Sequence, residues 1–182
     1  MAPMPRKGRL MRAISPAVAV VVMAILAACG GSDGADGLVE VTGRDYVFEG
    51  VPKTADAGAE LTFTNGSEAE FHEMLVLRIV DGEERSLEEL LALPEEESES
   101  LADFHGILVA MPGEDGSNPE GDGDSIVLDE PGRYAVLCFI PQGADPDALA
   151  AAMAGDSEGP PDVGDGTPHA LLGMAAEIQV DG

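Results

Sequence analysis

Four side chains of this 182-residue chain suit a soft or borderline metal ion: His72, Cys138, His169 and Met174. Cys138 lies near the end of the run Arg133-Tyr134-Ala135-Val136-Leu137-Cys138-Phe139-Ile140. His72 stands in Phe71-His72-Glu73-Met74, and the other two stand in His169-Ala170-Leu171-Leu172-Gly173-Met174. One thiolate, two imidazoles and one thioether are the donor set of a type 1 copper site. Sulfur suits Cu(I), imidazole suits both oxidation states, and a geometry fixed between the two preferences favours fast one-electron exchange. Singly, each residue has a plainer explanation. His72 reads as a partly buried histidine, Cys138 as a core thiol and Met174 as packing. Jointly, in this order and beside strand-like runs, they favour a site for one copper ion. If the fold keeps them apart, what is left is an acidic exported β-domain with no assigned chemistry.

Other chemistries are weaker. His105 reads as structural or exposed, and Met74, Met111 and Met153 as packing. Asp115-Gly116-Ser117-Asn118 and Asp122-Gly123-Asp124 look like pieces of a calcium loop, but lack its ordered spacing and terminal glutamate. A Cys–His hydrolase would need a nucleophile motif and an oxyanion hole, and the sequence supplies neither. It also has no phosphate loop or dinucleotide fingerprint. We expect no catalytic site.

Residues 1–28 read as a secretory leader. Arg6, Lys7, Arg9 and Arg12 precede the apolar stretch Ala13 to Ala28, which is too short for a membrane span. The leader ends Leu26-Ala27-Ala28-Cys29-Gly30, which resembles a bacterial lipobox. That resemblance implies a lipid on Cys29, with residues 29–37 as a flexible tether and the protein anchored on the extracytoplasmic side or in the periplasm. Beyond the leader, five basic residues face thirty-five acidic ones, a formal charge of −30. Such a surface repels nucleic acid and leaves a basic protein or a cation as partner. It also serves solubility without any partner. With Cys29 lipidated, no intramolecular disulfide is available to Cys138.

The elements that must position the four donors come from periodicity. Leu38–Thr42, Tyr46–Phe48, Glu60–Asn65, Phe71–Val80, Ser125–Leu128, Arg133–Ile140 and Ala175–Val180 read as strands. Phe71–Val80 is apolar on both faces and belongs inside a sheet. Ser125–Leu128 and Arg133–Ile140, joined by Asp129-Glu130-Pro131-Gly132, read as a hairpin. Ser86 and Glu89 form a capping box before a short helix, and the acidic stretch after it leads toward a further helical turn through Phe104. Ala144–Gly155 reads as a helix with Asp145 at the N-cap and Pro146 at its first position. These signals predict an all-β, Greek-key β-sandwich over residues 38–182, with short inserted helices.

Glu130-Pro131-Gly132 leading through an aromatic strand to Cys138 resembles the penultimate strand of the cupredoxins, the plastocyanin and azurin family. The His-x4-Met spacing of His169 and Met174 before a last strand is similar to the plastocyanin pattern. Asn65 ahead of a loop and His72 opening a strand resemble the family's upstream histidine. The resemblance implies His72, Cys138 and His169 as equatorial ligands and Met174 as a long axial one. The chain departs from the pattern in three places. Thirty residues separate Cys138 from His169, where the family has a few. Pro141 follows Cys138 closely. Glu73 follows His72, where the family often has an asparagine tying the ligand loops. The long segment is expected to act as a lid. The implied activity is electron transfer with a redox protein. A copper carrier with the same ligands, and a metal-free interaction module, remain as alternatives.

Overall fold

The structure, a computed structural model, describes residues 37–153 and 164–182. The leader, Cys29 and nearly all of the tether lie outside the described residues, as does Gly155 beyond the second predicted helix.

Strict alternation builds the first sheet. β4 (Ala59–Asn65) turns Ala59, Leu61, Phe63 and Asn65 inward and leaves the residues between them toward solvent. It lies between β1 (Leu38–Arg44) and β7 (Ser125–Leu128), with β2 (Val47–Glu49) on the far edge of β1. The second sheet runs β3 (Thr54–Asp56), β9 (Ala175–Asp181), β8 (Gly132–Leu137), β5 (His72–Ile79) and β6 (Ala102–Ala110). β1–β4 and β3–β9 are parallel pairs and the other pairs are antiparallel, so both sheets are mixed. The fold is the predicted β-sandwich, with strands distant in sequence lying side by side.

The second sheet is buried on both faces, and its sequence shows why. Met74 and Val76 of β5 and Tyr134 and Val136 of β8 face the first sheet, in one core with Leu61, Phe63 and Ile178. Leu77, Ile79, Ala135 and Leu137 face the other way, against Leu87, Leu90, Leu91 and Ala170. Those four belong to α1 (Leu87–Leu91) and α4 (His169–Leu172), which cover the outer face. Each well-buried leucine there contributes roughly 1.5–3 kcal/mol. The predicted capping box is present at α1: the Ser86 hydroxyl accepts from the Glu89 N–H, and the Glu89 carboxylate accepts from the Ser86 N–H at 2.8 Å.

Two sequence expectations change. β7 and β8 are not a hairpin: β7 pairs with β4 in one sheet, and β8 with β5 and β9 in the other. Ile126 and Leu128 bury into the core from the first sheet, so the Asp129–Pro131 turn must carry the chain across the sandwich. Gly132 makes this crossing at φ +149, and the Tyr134 hydroxyl donates back to the Glu130 carbonyl at 2.9 Å. The acidic stretch forms only α2 (Glu95–Ser98), and Phe104 lies in β6. The short strand β3 and the single turn of α4 lack a periodic signal long enough to read. Asp145 caps α3 (Pro146–Met153) as predicted, its carboxylate accepting from the Asp147 and Ala148 N–H groups.

Candidate metal centre

Antiparallel pairing of β5 and β8 brings the start of one strand to the end of the other. His72 is the first residue of β5, and Cys138 is the residue after β8. Period-two geometry puts Cys138 on the inward face shared by Tyr134 and Val136. The third element is α4. Its first residue, His169, donates its N–H to the Ile140 carbonyl, and the Ala170 N–H donates to the Cys138 carbonyl. The Cys138 N–H in turn donates to the Met174 carbonyl at 3.2 Å. The ligand segment is thus clamped backbone to backbone on the strand end that carries the thiol.

The thirty intervening residues do not separate the two donors. Pro141 bridges Pro168, and the Gln142 N–H donates to the Thr167 carbonyl at 3.0 Å. The insertion is pinched at its neck, so its length adds little to the cost of bringing the ends together. Ala144 and Leu149 beyond the neck pack into the main core.

Three donor atoms converge. Nδ1 of His72 and Nδ1 of His169 are 3.1 Å apart. Sγ of Cys138 lies 3.4 Å from the His169 Nδ1 and 4.0 Å from the His72 Nδ1. The point equidistant from all three is about 2 Å from each, the length of a bond between a first-row divalent ion and imidazole nitrogen. All three residues are fully buried. The Nε2 atoms of both histidines are buried without a hydrogen-bond partner. Buried polar groups normally have partners. Three donor atoms turned toward one another at a fully buried point fit a cation between them and have no advantage as apolar packing.

The electrostatics agree. Burial holds His72 down at about 4, with the neighbouring His169 adding to the effect, and burial lowers His169 as well. Both imidazoles are therefore neutral bases at neutral pH. Burial pushes the Cys138 thiol up to about 12, against the opposing pull of the Glu73 N–H, which donates to Sγ at 3.5 Å. Without a metal the thiol keeps its proton, and a cation at the centre would replace that proton.

Met174 is fully buried, and its backbone belongs to the same clamp. Its terminal methyl occupies room that Gly43 leaves free: a Cβ at Gly43 would lie 2.8 Å from the Met174 Cε. Met74 is core, and Met111 packs at the core's edge. His105 is remote from the cluster. Its Nε2 contacts the Val127 carbonyl at 2.7 Å and its ring packs edge-on against Tyr134.

The positioning residues are less legible in the sequence. Asn65 is fully buried: its Nδ2 donates to the Glu70 and Ala110 carbonyls, and its Oδ1 accepts from the Ser67 N–H. It staples the loop that delivers His72. Glu73 ties two ligand segments together. Its Oε1 accepts from the Phe139 N–H at 2.8 Å, joining the His72 and Cys138 segments. Glu70 and Tyr46 also gather at His169, and no spacing in the sequence marks them. Among the described residues, no helix is long and apolar enough to cross a membrane.

No protein-family model matches the chain, and no curated protein matches it. Among solved structures, it is similar to the dithionite-reduced auracyanin of the photosynthetic bacterium Roseiflexus castenholzii. That similarity has a TM-score of 0.46 and 19% identity, covering 82% of this chain and 100% of that one. Auracyanin A, a blue copper protein of Chloroflexus aurantiacus, matches at TM-score 0.43 and 16% identity, over 79% of this chain and 98% of its own. Auracyanin B matches at TM-score 0.40 and 16% identity, over 80% and 88%. What the cluster can do follows from its own atoms.

Proposed function

We propose that the chain binds one copper ion through His72, Cys138 and His169, with Met174 as a weak axial thioether, and passes single electrons to and from a redox protein. The observation that carries this reading is the convergence of two imidazole nitrogens and one thiol sulfur on a single buried point. Copper bound there supplies one-electron chemistry. The protein's part is to hold the donors still. The Glu73 tie, the Asn65 staple and the α4 clamp restrain all three ligand segments, which suits a site that changes oxidation state without rearranging. A carrier must hand its ion over through an accessible ligand, and here the three donors are buried. That favours retention, and electron transfer, over delivery.

Titration of the purified protein with Cu(II), followed by visible absorption, tests the reading. We expect an intense thiolate-to-copper band, absent in Cys138→Ser. No band and no bound copper would leave the donors as packing residues. For the axial thioether, Met174→Leu should shift the band and raise the reduction potential. Gly43→Ala should move the band without removing the donor. An unmoved spectrum in both would take Met174 out of the site.

The setting is part of the same proposal. A basic start, an apolar stretch and a small-residue run ending at Cys29 support export and lipidation, with residues 29–37 as tether. Loss of membrane attachment in Cys29→Ser is the expected result, and retained attachment would refute it. The charge of −30 beyond the leader favours a basic partner, whose association would weaken with salt. We read the insertion after Cys138 as a lid. Deleting residues 144–158 should raise solvent access to the ion, and unchanged access would overturn that role.

A further inference from the structure

Glu70 sits in the loop between β4 and β5, and its carboxylate reaches three other segments. Oε1 accepts from the Tyr46 hydroxyl at 3.0 Å. Oε2 accepts from the Gly143 N–H at 3.1 Å, on the segment that follows Cys138. The same Oε2 stands 3.7 Å from Nε2 of His169. The Glu70 backbone is fixed as well, because its carbonyl accepts from Asn65.

Tyr46 reinforces the arrangement. Its ring lies against the His169 ring, with centroids 4.8 Å apart. Its hydroxyl accepts from the Gln142 Nε2 at 3.1 Å while donating to Glu70. Asp45 and Tyr46 form the two-residue turn between β1 and β2, at φ of 39 and 70. A bulky residue is an outlier in that backbone region, and such residues persist where their surroundings over-determine them.

The Nε2 of His169 is buried with no hydrogen-bond partner within bonding distance. An imidazole that offers Nδ1 to an ion carries its proton on Nε2, and that N–H seeks an acceptor. A small rotation of either group closes 3.7 Å to hydrogen-bond length. We propose that Glu70 is the positioning residue for His169: its carboxylate accepts the Nε2 proton, fixes the tautomer that leaves Nδ1 free for copper, and adds a negative charge that favours Cu(II) over Cu(I). This rests on the copper reading above. Tyr46 and Gly143 hold the carboxylate in place.

Nitrogen NMR of the histidine rings tests it, first in the metal-free protein. Wild type and Tyr46→Phe should show His169 as the Nε2–H tautomer with a slowly exchanging proton. Glu70→Ala should give mixed tautomers and fast exchange. Glu70→Gln retains an acceptor oxygen and should keep the tautomer. In the copper-loaded proteins, Glu70→Ala should weaken Cu(II) binding about 10- to 100-fold. Glu70→Gln should raise the reduction potential while keeping the ligand set. A wild-type His169 signal in Glu70→Ala, or an unchanged potential in Glu70→Gln, overturns the proposal, and the second variant decides if the first does not fold. Wild-type protein that takes up no Cu(II) would instead overturn the copper reading, while the metal-free spectra still decide whether Glu70 sets the tautomer.

Discussion

The two ends of the β5–β8 pair are built from opposite chemistry. At one end Ile79 faces Arg133 in register, and the polar groups are charged, close to water and tied by ion pairs. Arg78 meets Asp81 at 3.1 Å, Arg133 meets Glu177 at 2.6 Å, and Arg133 also donates to the Glu83 and Arg85 carbonyls. At the other end His72 and Cys138 meet His169, and the donors are neutral, fully buried and turned on one another. At the first end the charges are paired within the chain. The second gathers three uncharged donor atoms around one buried point, with room for a cation between them. Two ends of one strand pair thus separate a structural polar cluster from a binding one.

The largest expected difference between the ends is their response to metal. A ligand present at a thousand times its dissociation constant stabilises the native state by about 4 kcal/mol. For a chain of this size that raises the melting temperature by on the order of 10 °C. Scanning calorimetry with and without Cu(II) should show the rise, and a chelator or Cys138→Ser should abolish it. An equal rise in Cys138→Ser would move the binding away from this end.

Acid and alkali should also single out the site end. His72 is held at about 4, below its ordinary 6.5, so between those values the unfolded chain binds more protons than the folded one. Stability of the metal-free protein should therefore fall as pH drops from 6.5 toward 4, by about 3 kcal/mol from this residue. Cys138 is displaced the other way, from 9.0 to about 12, so stability should also fall as pH rises from 9 toward 12. Denaturant titrations across pH would show both limbs. His72→Phe should shrink the acid limb, leaving the share of His169, which burial lowers too, and Cys138→Ala should flatten the alkaline one. Limbs unchanged in size in these variants would assign the pH dependence elsewhere.

How much of this was legible in the sequence depended on whether a signal was local. The capping box at Ser86, the Asp145 cap and the two-faced apolar run of β5 are carried by neighbouring residues, and each is legible in the sequence. The β7–β8 hairpin was misread because a Pro-Gly turn between strands looks alike whether they pair or part. Only the burial of Ile126 and Leu128 from the opposite sheet separates the cases. The gap from Cys138 to His169 looked like an obstacle because spacing counts residues along the chain. The Pro141–Pro168 neck makes it irrelevant in space. Glu70 and Tyr46 gave no signal, since their roles depend on three loops meeting. Glu73 carries no periodic or capping signal, yet its side chain joins the His72 and Cys138 segments through the Phe139 N–H.

Glu73 offers a sharper test of the site end. Burial raises the Glu73 carboxyl, and the Phe139 N–H donated to it pulls the other way. Glu73→Ala removes that exposed hydrogen bond, at a cost of about 0.5–1.5 kcal/mol. Glu73→Gln keeps an acceptor oxygen and should lose less than half as much. If the tie also holds the two ligand segments in register, Glu73→Ala should broaden the copper absorption band as well as lower the denaturation midpoint. A lower midpoint with an unchanged band would make the tie a structural bond only.

At the opposite end the expected effect is the smallest. Asp81 is 82% exposed at its side chain, and its partner Arg78 has a second acceptor in the Pro131 carbonyl at 3.0 Å. Exposed ion pairs contribute little because water solvates both partners nearly as well as they solvate each other. Asp81→Ala should change stability by no more than about 0.5 kcal/mol and leave the copper band and reduction potential where they are. A variant at this end that moved the potential would show that charge is felt along the length of β5. The two ends would then be one electrostatic unit, and the divide between scaffold and site would have to be redrawn inside the strand.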